Sequence, residues 1–296
     1  AGFVNIVGNP NVGKSTLMNQ LVGEKLSIAT FKAQTTRHRI MGIVNTEDTQ
    51  IVFSDTPGVL KPNYKMQEMM LQFSESALAD ADILLYVTDV VEDPEKNMDF
   101  LEKVSKMSIP VILLINKIDE SDQKTLGNLV TKWHGLLPNA EILPISAKNK
   151  FGVDILLKRV HELLPESPAF FDKDQLTDKP AKFFVSEIIR EKILRYYDKE
   201  IPYSVEVVIE RFKEDDRQIH ISAIIYVERS SQKGIIIGHQ GMALKKVSTE
   251  ARKSLERFFD KKIFLETFVK VDKDWRNSQK ELKHFGYSPE IGRAHV

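Results

Sequence analysis

Over the first ~165 residues, short apolar runs alternate with stretches whose apolar residues recur every three or four positions. FVNIV (3–7), IMGIV (40–44), QIVFSD (50–55), ILLYVTD (83–89), PVILLIN (110–116) and EILPIS (141–146) predict strands. Most are apolar throughout, as expected of strands covered on both faces. Between them KSTLMNQLV, MQEMMLQFSESALA, MDFLEKVSK, LGNLVTKWHGL and VDILLKRVHELL carry helical periodicity. Strands alternating with helices predict a doubly wound α/β domain, its sheet mostly parallel with helices on both faces. A hairpin around Thr46–Thr49 adds an antiparallel edge.

The pattern then changes. LPESPAFFDKDQLTDKPAK (164–182) holds three prolines and no sustained apolar period, and reads as a linker. Beyond it the order is a helix (184–197), strands at 204–212 and 218–229, two helices around a glycine loop, a strand (262–271) and a short helix (275–283). This predicts a second, α+β domain. The expected organisation is a first domain over 1–166, a linker over 167–181 and a second domain over 182–289, with 290–296 read as a vector-derived tail.

Charge sharpens the division. Lysine plus arginine and aspartate plus glutamate both number 42, for a net charge of zero. From Lys179 onward, however, 24 basic residues face 18 acidic ones, and the rest of the chain carries the reverse, 18 against 24. A nucleic-acid surface is therefore expected in the second half. The absence of cysteine excludes a disulfide framework and thiolate metal sites, and fits the cytosol. The longest apolar runs, such as VILLI (111–115), are far too short to span a bilayer, and no signal peptide is visible.

GNPNVGKS (8–15) fits the phosphate-loop pattern between a predicted strand and helix, the context that gives the pattern meaning. The loop Asn9, Pro10, Asn11, Val12 and Gly13, through backbone N–H groups that only Pro10 lacks, and the helix N-terminus at Lys14–Thr16 can cradle phosphate oxygens. Lys14 is placed to reach the β/γ-phosphates and Ser15 to ligate magnesium. DTPG (55–58) ends a later strand. Asp55 there can hold the magnesium's water shell, and the Gly58 N–H can meet the γ-phosphate. In NKID (116–119), with Asn116 and Lys117, the Asp119 carboxylate can accept two hydrogen bonds from guanine, a donor pair that adenine lacks. SAK follows (Ser146, Ala147, Lys148), its backbone within reach of the guanine O6. All four motifs fall at the carboxyl ends of strands, where such sheets bind ligands.

This set resembles the translation-factor-related GTPases. The resemblance implies a first switch in AQTTRHRIMG (33–42), with Thr36, or its neighbour Thr35, as a magnesium ligand. It implies a second switch over 59–72. Val59 stands where Ras-like enzymes carry a water-orienting glutamine, so slow intrinsic hydrolysis is expected. In relatives with a hydrophobic residue here a potassium ion can help, and Asn11 matches their potassium-ligating asparagine; the expectation is stimulation by potassium. Met66, Met69 and Met70 read as helix-face packing.

A second glycine pair, Gly238 and Gly241 in KGIIIGHQGMALKK (233–246), lacks the Lys-Ser/Thr and carboxylate motifs of a nucleotide loop. The helix–strand–strand–helix–helix–strand order around it instead resembles a type II KH domain, whose G-x-x-G loop clamps single-stranded RNA. The resemblance implies RNA contacts from Ile237, Gly238, His239, Gln240 and Gly241. In that reading Lys245 and Lys246 are expected to attract phosphate, and Ile235–Ile237 to form a groove floor. No catalytic role is expected for His239 or Gln240. A phosphate-loop GTPase followed by one KH domain resembles the Era family of bacterial ribosome-assembly GTPases, over nearly the whole chain. That family implies binding of the 3′ end of 16S rRNA, maturation of the small (30S) subunit and peripheral association with the inner membrane surface. No obligate protein partner is evident. Coupling to a different RNA-modifying or membrane-surface partner is the alternative reading.

Overall fold

The computed structural model describes residues 1–288; the expected tail at 290–296, and Pro289, lie outside the described residues. The chain divides into a first body, residues 1–178 apart from 64–66, and a second, residues 64–66 and 179–287.

The first body is built on a six-stranded sheet in the order β2-β3-β1-β4-β5-β6. Its strands are β1 (Gly2–Gly8), β2 (Ile40–Asn45), β3 (Gln50–Asp55), β4 (Ile83–Asp89), β5 (Val111–Asn116) and β6 (Glu141–Pro144). All pairings are parallel except the β2–β3 hairpin. Strands β1, β3 and β4 are buried at every position, which is why their sequences do not alternate. The helices are α1 (Lys14–Val22), α2 (Lys65–Ala79), α3 (Met98–Ser105), α4 (Gln123–Leu136) and α5 (Val153–Leu163). Leu17, Met18 and Leu21 form the buried stripe of α1, and Met66 and Met70 are buried on α2. Because β3 lies on one side of β1 and β4 on the other, the loop after β1 opens at the point where chain order reverses, the usual ligand crevice of such sheets.

Residues 165–178 have no helix or strand of their own, yet they are built into this body. The Ile43 N–H donates to the Leu176 carbonyl at 2.8 Å, and the Met41 N–H to Asp178 Oδ1 at 2.9 Å. Gln50 is bonded to the Phe170 and Phe171 backbone. Both phenylalanines pack on an apolar cluster of Phe3, Met41, Ile43 and Val52. The outer edge of β2 is therefore covered.

In the second body, α6 (Ala181–Tyr196), β7 (Glu206–Glu214), β8 (Gln218–Val227), α7 (Ser230–Ile237), α8 (Met242–Phe259) and β9 (Lys262–Val271) follow the αββααβ order. The sheet order is β7-β8-β9, with β7–β8 antiparallel and β8–β9 parallel. Alternate residues Ile219, Ile221, Ala223, Ile225 and Val227 face the core. They meet Ile189 and Ile193 of α6 and the one-face row Val247, Ala251, Leu255 of α8. Each large aliphatic side chain buried in this way contributes about 1.5–3 kcal/mol. The terminal helix expected over 275–283 is two pieces: a 3-10 turn at Trp275–Asn277, and α9 (Gln279–His284). Ser278 separates them because its hydroxyl caps α9 at the Glu281 N–H.

Candidate functional site

The phosphate-loop residues leave β1 and wrap onto the start of α1. Gly13 adopts a left-handed conformation (φ 95°) immediately before the helix. Asn9, Val12 and Lys14 are buried, Asn11 is exposed, and Pro10, Gly13, Ser15 and Thr16 are intermediate. Lys14 Nζ rests on the Asn9 carbonyl at 2.7 Å. Burial lowers its pKa to about 8, against the opposing pull of Asp55 and Glu92.

Three oxygens converge beside it. Ser15 Oγ donates to Asp55 Oδ2 at 2.7 Å, and Ser15 Oγ and Thr36 Oγ1 are 2.8 Å apart. Thr36 Oγ1 also reaches Asp55 Oδ2 at 3.5 Å. Thr35 is engaged elsewhere, its hydroxyl donating to the Lys32 carbonyl at 2.6 Å. Asp55 is fully buried, and its Oδ1 finds no hydrogen-bond partner. Burial pushes its carboxyl above the usual carboxylate range despite Ser15 and Lys14. One carboxylate and two hydroxyls, with an orphaned carboxylate oxygen, fit a hard, oxygen-seeking divalent ion that retains waters. Among the described residues no group of three or more His, Cys, Asp or Glu is arranged to hold a metal, so this mixed site is distinct from an acidic cage.

Beyond Thr36 the chain is firmly anchored. Arg39 is buried, and its guanidinium makes two 2.8 Å bonds to Asp80 and shares Ser54 Oγ. On the other side, residues 28–32 and 34–36 line the cleft beside the phosphate loop, with Phe31 fully exposed. Gly58 and Lys117 also line it. A Cβ on Gly58 would stand 2.7 Å from the Pro10 backbone, so only glycine allows this approach. Val59 is buried and donates its N–H to the Gly8 carbonyl at 3.0 Å.

The NKID and SAK residues form the far wall. Asn116 Nδ2 donates to the Val12 carbonyl at 2.9 Å and its Oδ1 accepts from the Ala147 N–H at 3.0 Å, tying the two loops to the phosphate loop. Lys117 Nζ bonds the Asn11 carbonyl at 2.6 Å and Asp89 Oδ2 at 2.7 Å. Asp119 is exposed and accepts from Ser146 Oγ at 2.6 Å, leaving carboxylate acceptor capacity open to a ligand. Lys148 is exposed. The sequence motifs missed Asp89, Glu92 and Asn97, which stand close behind these loops. Their one cue was position, since the acidic stretch TDVVED closes β4 at its carboxyl end.

In the second body, Gly238 (φ 72°, ψ −179°) follows α7, and Gly241 (φ 73°) precedes α8. The Gly238 conformation is open essentially only to glycine, and a Cβ there would lie 2.5 Å from Ala243 Cβ. His239, Gln240, Lys245 and Lys246 are exposed, and Lys246 Nζ lies over the Tyr196 ring at 4.7 Å. Of the isoleucine run, Ile235 is exposed, Ile237 half-buried and Ile236 fully buried in the core, so Ile236 offers no floor to a ligand. Tyr197 Oη donates to the Ile236 carbonyl at 2.7 Å and fixes the end of α7.

Residues 3–117 match the family described as 50S ribosome-binding GTPase, and residues 200–276 match the KH domain. The chain is 46% identical to GTPase Era of Geobacter sp. (strain M21) over 289 residues, 97% of each chain. Among solved structures it is similar to Era in complex with MgGDPNP and nucleotides 1506–1542 of 16S ribosomal RNA. There the TM-score is 0.92 and the identity 37%, covering 97% of this chain and 98% of that one. A variant of Aquifex aeolicus Era bound to GDP·AlF4− also gives a TM-score of 0.92 at 37% identity, covering 97% and 99%.

Proposed function

The chain belongs to the Era GTPases, and on that premise we propose that it is a GTP-hydrolysing switch. Its KH domain binds the 3′ end of 16S rRNA and assists maturation of the small ribosomal subunit. The observation that carries the nucleotide half is the buried Asp55 carboxylate, one oxygen unpartnered, among the Ser15 and Thr36 hydroxyls. Ser15, Thr36 and, through water, Asp55 would hold Mg2+, which when bound neutralises charge on the β- and γ-phosphates. Lys14 exchanges the Asn9 carbonyl for phosphate oxygens, and the Gly58 N–H meets the γ-phosphate. Asp119 reads the guanine N1–H and 2-amino group. Hydrolysis transfers the γ-phosphoryl to water and releases GDP.

Val59 has no group with which to orient that water, so the intrinsic rate is slow; Asn11 would hold a potassium ion, which would supply charge that the side chains lack. Potassium should raise turnover over sodium at matched ionic strength; equal rates would remove the ion from the mechanism.

The RNA half is supported by the G-x-x-G loop, whose Gly238 backbone is open essentially only to glycine, beside exposed Lys245 and Lys246, and by the basic second half. The test is titration of a labelled single-stranded RNA matching the 3′ tail of 16S rRNA, against a scrambled control, with GDP or a non-hydrolysable GTP analogue. Tighter specific binding with the analogue is expected. Specific but equal binding removes the coupling, and no preference over the scrambled RNA removes the target. The protein acts in the cytoplasm, with peripheral contact at the inner membrane surface. Among the described residues no helix is long and apolar enough to cross a membrane.

A further inference from the structure

A line of hydrogen-bonded side chains runs behind the phosphate loop, carried by the segment between β4 and α3. Thr88 Oγ1 donates to Glu92 Oε1 at 2.6 Å, and Asn9 Nδ2 donates to Glu92 Oε2 at 3.0 Å. With its nitrogen turned to Glu92, Asn9 presents its oxygen to Asn97, which must then be the donor. Asn97 Nδ2 bonds both Asn9 Oδ1 and the Val59 carbonyl, the latter at 3.2 Å. Each amide's sense thus follows from Glu92. Asn97 is itself fixed, since its carbonyl accepts the Leu101 N–H of α3 at 3.1 Å.

The line ends on backbone that a terminal phosphate must meet. Val59 is held at both polar atoms, its N–H by the Gly8 carbonyl and its carbonyl by Asn97. Gly58 lies pressed against Pro10. At the other end, the Asn9 whose side chain is oriented by Glu92 offers its own carbonyl to Lys14. We propose that Asn97 and Glu92 are positioning residues that clamp the Gly58–Val59 peptide to the phosphate loop, where the Gly58 N–H is aimed at the γ-phosphate of GTP. The inference rests on the reading of residues 8–15 and 55–58 as a GTP site. GDP lacks the group the clamp serves, so the clamp discriminates between the two nucleotides. A small misplacement of a transition-state donor costs far more in rate than in ground-state binding.

The experiment is single-turnover GTP hydrolysis by the full chain, with GDP affinity measured beside it, for Asn97→Ala, Glu92→Leu and Glu92→Gln. Glutamine can still accept from Asn9 and donate to Thr88, so it preserves the line. Asn97→Ala and Glu92→Leu should slow hydrolysis about tenfold or more while changing GDP affinity less than about threefold, with Glu92→Gln within about twofold of the unaltered chain. GDP affinity at the unaltered level shows that each variant is folded. Two results overturn the clamp while leaving the GTP site standing: unaltered hydrolysis in all three variants, or GTP and GDP affinity lost equally with the bound rate unchanged. Absence of hydrolysis by the unaltered chain overturns both the clamp and the reading beneath it.

Discussion

Ser15 and Thr36 hold their hydroxyl oxygens 2.8 Å apart although 21 positions separate them in the chain, and both turn toward Asp55. The helix after the phosphate loop, the segment carrying Thr36 and the end of β3 thus meet at one buried carboxylate whose pKa burial has raised. Since the folded state binds the proton more tightly than the unfolded one, this group's contribution to stability is complete below the unfolded pKa. It is lost as pH rises through the folded pKa. Asp55→Asn removes that cost. The nucleotide-free protein should melt about 2–4 °C higher at neutral pH, roughly 1 kcal/mol in a domain of this length. The same variant should lose the further rise that Mg2+ and GDP give the unaltered chain. A lower melting temperature, or an intact magnesium-dependent rise, refutes this account of Asp55.

Lys14 titrates the other way. Its folded pKa is depressed to about 8 by burial, so the stability it contributes is present above its unfolded pKa and is lost as pH falls through about 8. Phosphate needs the charged form. GDP affinity should therefore weaken about tenfold between pH 7 and pH 9, following the protonated fraction. Lys14→Arg, whose guanidinium stays charged, should flatten the profile even where affinity is reduced. Parallel profiles for the two proteins would assign the pH dependence to another group.

Asp119 is exposed and already oriented by Ser146. Asp119→Asn should erase guanine preference by about a hundredfold or more and favour xanthine, which carries an oxygen where guanine has its amino group. Competition of GTP against xanthosine triphosphate measures this directly, and retained GTP selectivity would remove Asp119 from base reading.

The two loop glycines should differ as probes. A Cβ at Gly241 meets no atom within 4 Å and is opposed only by the left-handed φ of 73°, whereas a Cβ at Gly238 also collides with Ala243. Gly241→Asp should weaken RNA binding about tenfold through charge, with GTP binding nearly unchanged and a stability loss of only about 1 kcal/mol from its left-handed backbone. Gly238→Asp should also lower stability by about 1–3 kcal/mol through backbone strain and crowding. Equal melting temperatures for the two variants would contradict the strained Gly238 geometry.

The strands of the first sheet were legible because burial on both faces leaves apolar runs, and β3 and β4 begin and end where those runs do; β9, open on one face, was legible instead from its β-branched and aromatic residues. The phosphate-loop, DTPG, NKID and SAK segments, which stand together at the carboxyl ends of their strands, were legible as short motifs of fixed spacing. Glu92 and Asn97 were not. They act through side-chain bonds to Asn9 and Val59 across more than thirty positions of chain, a relation that leaves no local period or motif. Nor was the burial of Ile236, since three successive isoleucines on a short helix do not say which one faces inward. The break at Ser278 hid in an otherwise helical composition, although the capping serine was there to be read.

The packing of residues 165–178 along β2 bears on how the nucleotide-binding half can be cut free. A fragment stopped near residue 165 would strip partners from the Met41 and Ile43 amides and bare the apolar patch around Phe3 and Val52. An open strand edge beside an exposed apolar patch is a template for intermolecular pairing. Such a fragment should precipitate or form oligomers on sizing columns, while one carried through Asp178 should run as a monomer. Protease trimming of the intact chain should likewise spare this stretch despite its loop-like sequence.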